Sequence, residues 1–189
     1  KSGTYYIPVI PQTFEKGFSF KTIDANDVVV EKSTAKSNTV QAGQVLAAGR
    51  LGSEYEVDDD GRATVKTSEQ GYLEVYFANK KNSKCVILYP GGGYAVHHAG
   101  GIASVIEDFR GSDVTLIVDY FTLPNKGLLR DRSLEDANAA LDLAWKNKAL
   151  WGGYEKVGLI GNSAGGHLAG YIGQTRHDDV DFQILIYPV

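Results

Sequence analysis

The sequence predicts an α/β fold, a mostly parallel β-sheet with helices on both faces. Three observations predict it. Apolar, β-branched runs at 85–89, 114–120 and 156–160 alternate with helical patterns, and such alternation implies parallel strands joined by right-handed crossovers. A serine flanked by small residues, Gly161-Asn162-Ser163-Ala164-Gly165, lies where a strand run meets a helix pattern. Three consecutive glycines, Gly91-Gly92-Gly93, break an earlier strand run.

The elements follow in chain order. Residues 1–50 hold short β-prone runs at 5–10, 18–23 and 28–30 between polar stretches and turn residues. Runs at 54–58 and 63–66 flank Asp58-Asp59-Asp60-Gly61, a hairpin turn signal. Those aspartates lack the alternating ligand spacing of a calcium loop. Residues 72–78 read as a strand with Leu73, Val75 and Phe77 on one side. Cys85-Val86-Ile87-Leu88-Tyr89 is the next strand. Ile102, Val105, Ile106 and Phe109 form a helical stripe, and 114–120 is a buried strand. Ser133 is the expected cap of a second helix, with Asp136 in the capping-box position. Ala137, Ala140, Leu141, Ala144 and Trp145 make its apolar face, and Gly152-Gly153 is its expected end. The strand at 156–160, a glycine-rich helix at 164–172 and a strand at 181–188 complete the order. Gly165, Gly166, Gly170 and Gly173 weaken that helix but let it lie close on the sheet. The organisation expected is a β-rich extension with the first hairpin at 1–69, followed continuously by the α/β core at 70–189.

Composition narrows the partners. With 189 residues the chain can build one domain with a sizeable core. A net charge of −4 and an isoelectric point near 5.6 offer no basic face for nucleic acid or an anionic membrane. No apolar run approaches the roughly 20 residues of a spanning helix. Cys85 is the only cysteine, so no internal disulfide forms, and its place in a strand suits a small buried hydrophobe. The chain begins at Lys1 and contains no Met, a start that fits either a cleaved signal peptide or an artificial boundary within a longer chain.

Two motifs carry chemistry. A serine at a tight strand-to-helix turn is a nucleophile elbow: small neighbours avoid clashes, the hydroxyl clears the sheet, and the first helical N–H groups face whatever the serine attacks. Pro90-Gly91-Gly92-Gly93-Tyr94 leaves backbone N–H groups uncovered by side chains, which suits the negative oxygen that develops in acyl transfer. The bland alternatives are a chance G-x-S-x-G and a flexible turn after a strand. Two motifs in this order, with two helix–strand units between them, make coincidence a poor explanation.

Tyr89-Pro90-Gly91-Gly92-Gly93-Tyr94 followed by Gly161-Asn162-Ser163-Ala164-Gly165-Gly166-His167-Leu168-Ala169 resembles the α/β-hydrolase superfamily. The nearest branch is the hormone-sensitive-lipase-like esterases, and within it the bacterial acetyl xylan esterase-like proteins. The resemblance spans residues 70–189 and includes the Ile184-Leu185-Ile186-Tyr187-Pro188-Val189 run. It implies an α/β-hydrolase-type sheet, Ser163 as nucleophile, and the N–H groups of Gly92, Gly93 and Ala164 as oxyanion donors. Tyr94, His97 and His98 would border the substrate pocket, with a solvated loop pair as the alternative for the two histidines. Pro90 stands where many lipases have a histidine, so ordering of the glycine loop by that side chain does not carry over. No cofactor or metal is implied.

The base and acid are the gap. The superfamily order is Ser, then Asp or Glu, then His, and 26 residues follow Ser163. His167 matches the motif at a structural position, and His177 sits in a polar loop with Asp178 and Asp179. The expectation is therefore that the chain is the N-terminal part of a longer hydrolase lacking its C-terminal strands. The base and acid would lie beyond Val189, and further chain would cover the apolar edge at 182–187. The resemblance points to acetyl removal from a carbohydrate ester by a secreted or periplasmic bacterial protein. An arylformamidase-like amide hydrolase and a catalytically inactive hydrolase-fold module are the alternatives.

Overall fold

The computed structural model describes residues 8–23, 29–43, 62–78, 84–124 and 131–189. The chain divides into two compact units, Lys1–Ser53 and Glu54–Val189.

The first unit contains two antiparallel pairs. Strand β1 (Gln12–Phe14) pairs with β4 (Asn38–Val40), and β2 (Phe18–Ile23) pairs with β3 (Val29–Thr34) in the register Phe18 opposite Thr34. Gly17 turns β1 into β2 at φ 78°, and the rings of Phe14 and Phe18 meet edge-on at 5.5 Å. Two of the expected β-prone runs fall in β2 and β3. Of the run at 5–10, residues 8–10 form no strand and residues 5–7 lie outside the described residues. The hairpin partner expected at 54–58 and its aspartate turn lie outside them as well.

The second unit is a six-stranded sheet. In chain order its elements are β5 (Arg62–Lys66), β6 (Tyr72–Tyr76), β7 (Lys84–Tyr89), α1 (Ala99–Phe109), β8 (Val114–Tyr120), α2 (Asp131–Lys146), β9 (Val157–Asn162), α3 (Ala164–Thr175) and β10 (Phe182–Ile186). The spatial order is β10-β9-β7-β8-β6-β5. Strands β10, β9, β7 and β8 run parallel, while β6 and β5 join antiparallel. This is the mostly parallel sheet that the strand–helix alternation requires.

The pleat of β7 divides the core between two faces. Cys85, Ile87 and Tyr89 pack with Ala137, Ala140, Leu141 and Ala144 of α2 and Leu168, Ala169 and Ile172 of α3. Val86 and Leu88 pack on the other face with Ile102 of α1, Leu116 and Val118 of β8, and Ile160 of β9. Alternation of side chains along a strand thus explains why helices are needed on both faces. Burial pushes the Cys85 thiol up to about 12, consistent with an inert core cysteine.

The start of α2 corrects the capping-box reading. The helix includes Asp131, two residues before Ser133, and Ser133 is fully buried. Ser133 Oγ donates to the Thr122 carbonyl at 2.7 Å, and Asp136 Oδ2 accepts from Thr122 N–H at 2.7 Å. Both side chains therefore tie α2 to the segment after β8 instead of capping their own helix. The far end differs too. Helix α2 stops at Lys146, where Leu150 and Trp151 N–H turn back onto the Asn147 carbonyl. Gly152 and Gly153, at φ 136° and 65°, shape the loop that follows.

Arg176 fastens the C-terminal end of α3 to α2. It donates to Asn138 and pairs with Asp142 and Asp179, while Trp145 Nε1 donates to the Asp179 carbonyl. The last strand is the least covered part of the sheet. Phe182, Ile184, Leu185 and Ile186 are each 42–45% exposed, on both faces of β10.

Candidate active site

Strands β7 and β9 are neighbours and parallel, with Tyr89 opposite Gly161, so the glycine run and the serine motif emerge at the same end of the sheet. The two loops are also bonded to each other. Gly91 N–H donates to Asn162 Oδ1 at 3.1 Å, linking the residue before the serine to the glycine run. Asn162 Nδ2 reaches Tyr187 Oη at 3.4 Å on the far side.

Ser163 has the backbone of an elbow. Its φ of 51° and ψ of −120° lie outside the regions a serine ordinarily occupies. It occupies the N-cap position of α3, where serine usually accepts from a first-turn N–H. Here the side chain makes no cap bond, and Oγ has no hydrogen-bond partner among the described residues. The strained turn is held from both sides: Ser163 N–H donates to the Ile186 carbonyl at 2.9 Å, and the Ser163 carbonyl accepts from His167 N–H at 3.0 Å. Small neighbours are obligatory for steric reasons. A Cβ at Gly165 would stand 1.8 Å from the Tyr89 carbonyl oxygen.

The glycine loop folds back on its own backbone. The Gly92 carbonyl accepts from Ala95 and Val96 N–H, and the Gly91 carbonyl accepts from His98 N–H, which closes the loop on itself. Gly92 sits at φ 141°, where an added Cβ would meet the Val96 carbonyl oxygen at 1.9 Å. The N–H groups of Gly92, Gly93 and Ala164 donate to no other group among the described residues. These N–H groups and Ser163 lie in two loops that leave the same end of two adjacent parallel strands.

The pocket residues expected from sequence have specific partners. Tyr94 is 9% exposed, and its hydroxyl lies 2.6 Å from His167 Nδ1. His98 caps α1, its Nδ1 accepting from Gly101 N–H at 3.1 Å. His97 packs its ring edge-on against Tyr120 and Phe121. Burial lowers its pKa, and a hydrogen bond to the Phe121 backbone opposes that shift. His177 is exposed beside Asp178. His97 is thus half-buried and His98 exposed, and neither is hydrogen-bonded to Ser163.

Sequence reasoning missed Asn162 and the pairing of Tyr94 with His167. Both join positions more than 70 residues apart, and only the adjacency of the two motif loops could have pointed to them. It also missed Asp119. That side chain is fully buried, and neither of its oxygens has a hydrogen-bond partner among the described residues. Burial, with the nearby Asp136 charge adding to it, holds its carboxyl well above the usual range. No cluster of metal-ligating side chains occurs among the described residues. An open depression lined by Leu134, Asn138 and Tyr171 lies along α2 and shares no residue with the Ser163 site.

The family model described as alpha/beta hydrolase fold matches residues 86–189. The chain belongs to the α/β-hydrolase family. The match begins inside β7 and takes in both loops of the site. A search of curated proteins returned no match.

Among solved structures, a sugar hydrolase from Lactococcus lactis is 26% identical with a TM-score of 0.58, covering 68% of this chain and 53% of that one. A Pyrobaculum calidifontis esterase is 24% identical with a TM-score of 0.57, covering 67% and 44%. An acetyl ester-xyloside bifunctional hydrolase from Caldicellulosiruptor lactoaceticus is 20% identical with a TM-score of 0.50, covering 59% and 46%. The last two similarities speak to the fold alone. This α/β-hydrolase chain spans about half the length of these relatives.

Proposed function

We propose that this chain carries the nucleophile and oxyanion donors of a serine carboxylic-ester hydrolase, acting on acetyl groups of a carbohydrate. The observation that carries the reading is the N-cap serine that does not cap: Ser163, held at φ 51° with its hydroxyl unengaged, sits at the same end of adjacent parallel strands as the glycine loop. In the reaction, Ser163 Oγ bonds to the ester carbonyl carbon and its proton passes to a base. The carbonyl electron pair moves onto oxygen, where Gly92, Gly93 and Ala164 N–H groups receive it. Each such donor contributes roughly 3–4 kcal/mol to the transition state. Collapse expels the sugar alkoxide, which takes the proton, and water then releases acetate from the acyl-serine.

The base and its orienting acid are assigned to chain outside these 189 residues. His167 is engaged with Tyr94, His98 caps α1, His97 is packed on Phe121, and His177 is remote in an exposed turn. Further chain, or another chain, is likewise assigned to cover the apolar faces of β10. Carbohydrate as the alcohol rests on the motif resemblance and on the sugar-hydrolase relative, and a location outside the cytoplasm follows from a polysaccharide substrate.

The test compares p-nitrophenyl acetate, acetylated xylan and an N-formyl arylamine with the whole protein and its Ser163→Ala variant. The expected result is acetyl-ester hydrolysis that falls on the order of 10⁶-fold in Ser163→Ala, because a catalytic triad acts as a unit. Preference for the N-formyl arylamine would move the reading to an amide hydrolase. Wild-type ester hydrolysis by Ser163→Ala would refute it.

A further inference from the structure

Tyr94 combines three features that local structure does not explain. It is a bulky aromatic residue at φ 59°, in the left-handed region that such side chains avoid. It is almost fully buried beside Phe121, with ring centroids 6.0 Å apart. Its hydroxyl makes a 2.6 Å hydrogen bond to His167 Nδ1, 73 residues away. Strained backbone persists where the surroundings over-determine it, and it gathers at sites whose geometry matters.

The bond closes a circuit through the site. Tyr94 follows Gly93 directly, so its backbone fixes where the Gly92–Gly93 donors point. His167 lies one helical turn from Ser163, and its N–H donates to the Ser163 carbonyl at 3.0 Å. The path therefore runs from the glycine loop, through the Tyr94 side chain and the His167 ring, back to the backbone of the serine. Gly91 N–H to Asn162 Oδ1 also links the two loops, at the base of the glycine run.

We propose that Tyr94 and His167 are a positioning pair, a clasp that sets the glycine-loop donors at their working distance from Ser163. The proposal rests on the esterase reading and assigns His167 a role other than the base. Neither residue touches the reacting atoms. Each acts through the backbone it holds.

Because the donors engage charge that exists only in the transition state, loosening the clasp lowers kcat and leaves KM nearly unchanged. The experiment is steady-state hydrolysis of p-nitrophenyl acetate by the whole protein, with unfolding midpoints measured alongside. Tyr94→Phe and His167→Leu are each expected to lose about 10- to 100-fold in kcat, the scale of a misplaced or missing donor. The double variant is expected to lose no more than the worse single one, since both break the same bond. His167→Asn places an acceptor oxygen near the Nδ1 position and is expected to recover part of the loss. Phenylboronic acid, which forms a tetrahedral adduct on an active serine, should bind more weakly in step with kcat.

Single variants that keep wild-type kcat, or single losses that multiply in the double variant, would overturn the clasp. So would an effect confined to KM. His167→Leu keeps the Tyr94 ring in its packing and carries the test if Tyr94→Phe does not fold. Ser163→Ala is assayed in parallel to separate the two claims. If Ser163→Ala is inactive while Tyr94→Phe and His167→Leu turn over normally, the clasp alone fails. If Ser163→Ala hydrolyses the ester normally, the esterase reading fails and takes the clasp with it.

Discussion

Gly165→Ala probes how the elbow is built. A Cβ at this position would stand 1.8 Å from the Tyr89 carbonyl oxygen and 2.7 Å from that of Pro90. Both are backbone atoms at the end of β7, so no side chain can swing aside. Restoring even a 3.0 Å contact requires the start of α3 to move about 1.2 Å off the strand. Overpacking of this kind costs about 1–3 kcal/mol, which in a domain of this size lowers Tm by roughly 2–4 °C per kcal/mol. On the proposed esterase reading, the same displacement carries Ser163 and Ala164 N–H away from the Gly92–Gly93 loop, and a 1 Å misplacement costs about 10²-fold in rate. Thermal melts and p-nitrophenyl acetate turnover of the whole protein measure both effects. A Gly165→Ala variant with unchanged Tm and unchanged turnover would refute the claim that α3 rests directly on the end of β7.

Two further outcomes follow from the same geometry. Gly92→Pro removes one donor and forces φ from 141° towards about −65°, so turnover should fall about 10²–10³-fold; assay at saturating ester checks it. Asp119→Asn tests the buried carboxyl. The folded-state pKa of Asp119 is raised, so its stabilising contribution is complete below the unfolded value and is lost as pH rises, by up to about 1.4 kcal/mol per pH unit. Melts of both proteins should nearly coincide near pH 4, with Asp119→Asn gaining over wild type towards pH 8. A Tm difference independent of pH would mean that Asp119 ionises as freely in the folded protein as in the unfolded chain.

The parts of this molecule that were legible in the sequence are those whose signal is local. The strands β7, β8 and β9 announce themselves by apolar runs, and Gly161 to Gly165 reports a turn that only small residues tolerate. Ser133 and Asp136 misled because a capping box is a local pattern, whereas their partner is Thr122, reached across the β8–α2 connection. Strands β1 and β4, of three residues each, carry too few side chains to show a period. The end of α2 was misplaced because Gly152-Gly153 is the stronger textual stop, while the chain already turns on the Asn147 carbonyl. At the site, the strand-to-helix turn at Ser163 and the glycine loop beside it were readable from two motifs. The bonds that join those motifs were not, since Gly91 to Asn162 and Tyr94 to His167 exist only once β7 and β9 lie side by side.

The central claim is that Ser163 is the nucleophile, and covalent labelling tests it most directly. A fluorophosphonate bonds its phosphorus to an activated serine oxygen and releases fluoride. Peptide mass spectrometry of the labelled whole protein should place one adduct on the peptide containing Ser163, and the Ser163→Ala variant should take up none. An adduct on a different residue, or undiminished labelling of Ser163→Ala, would contradict the account.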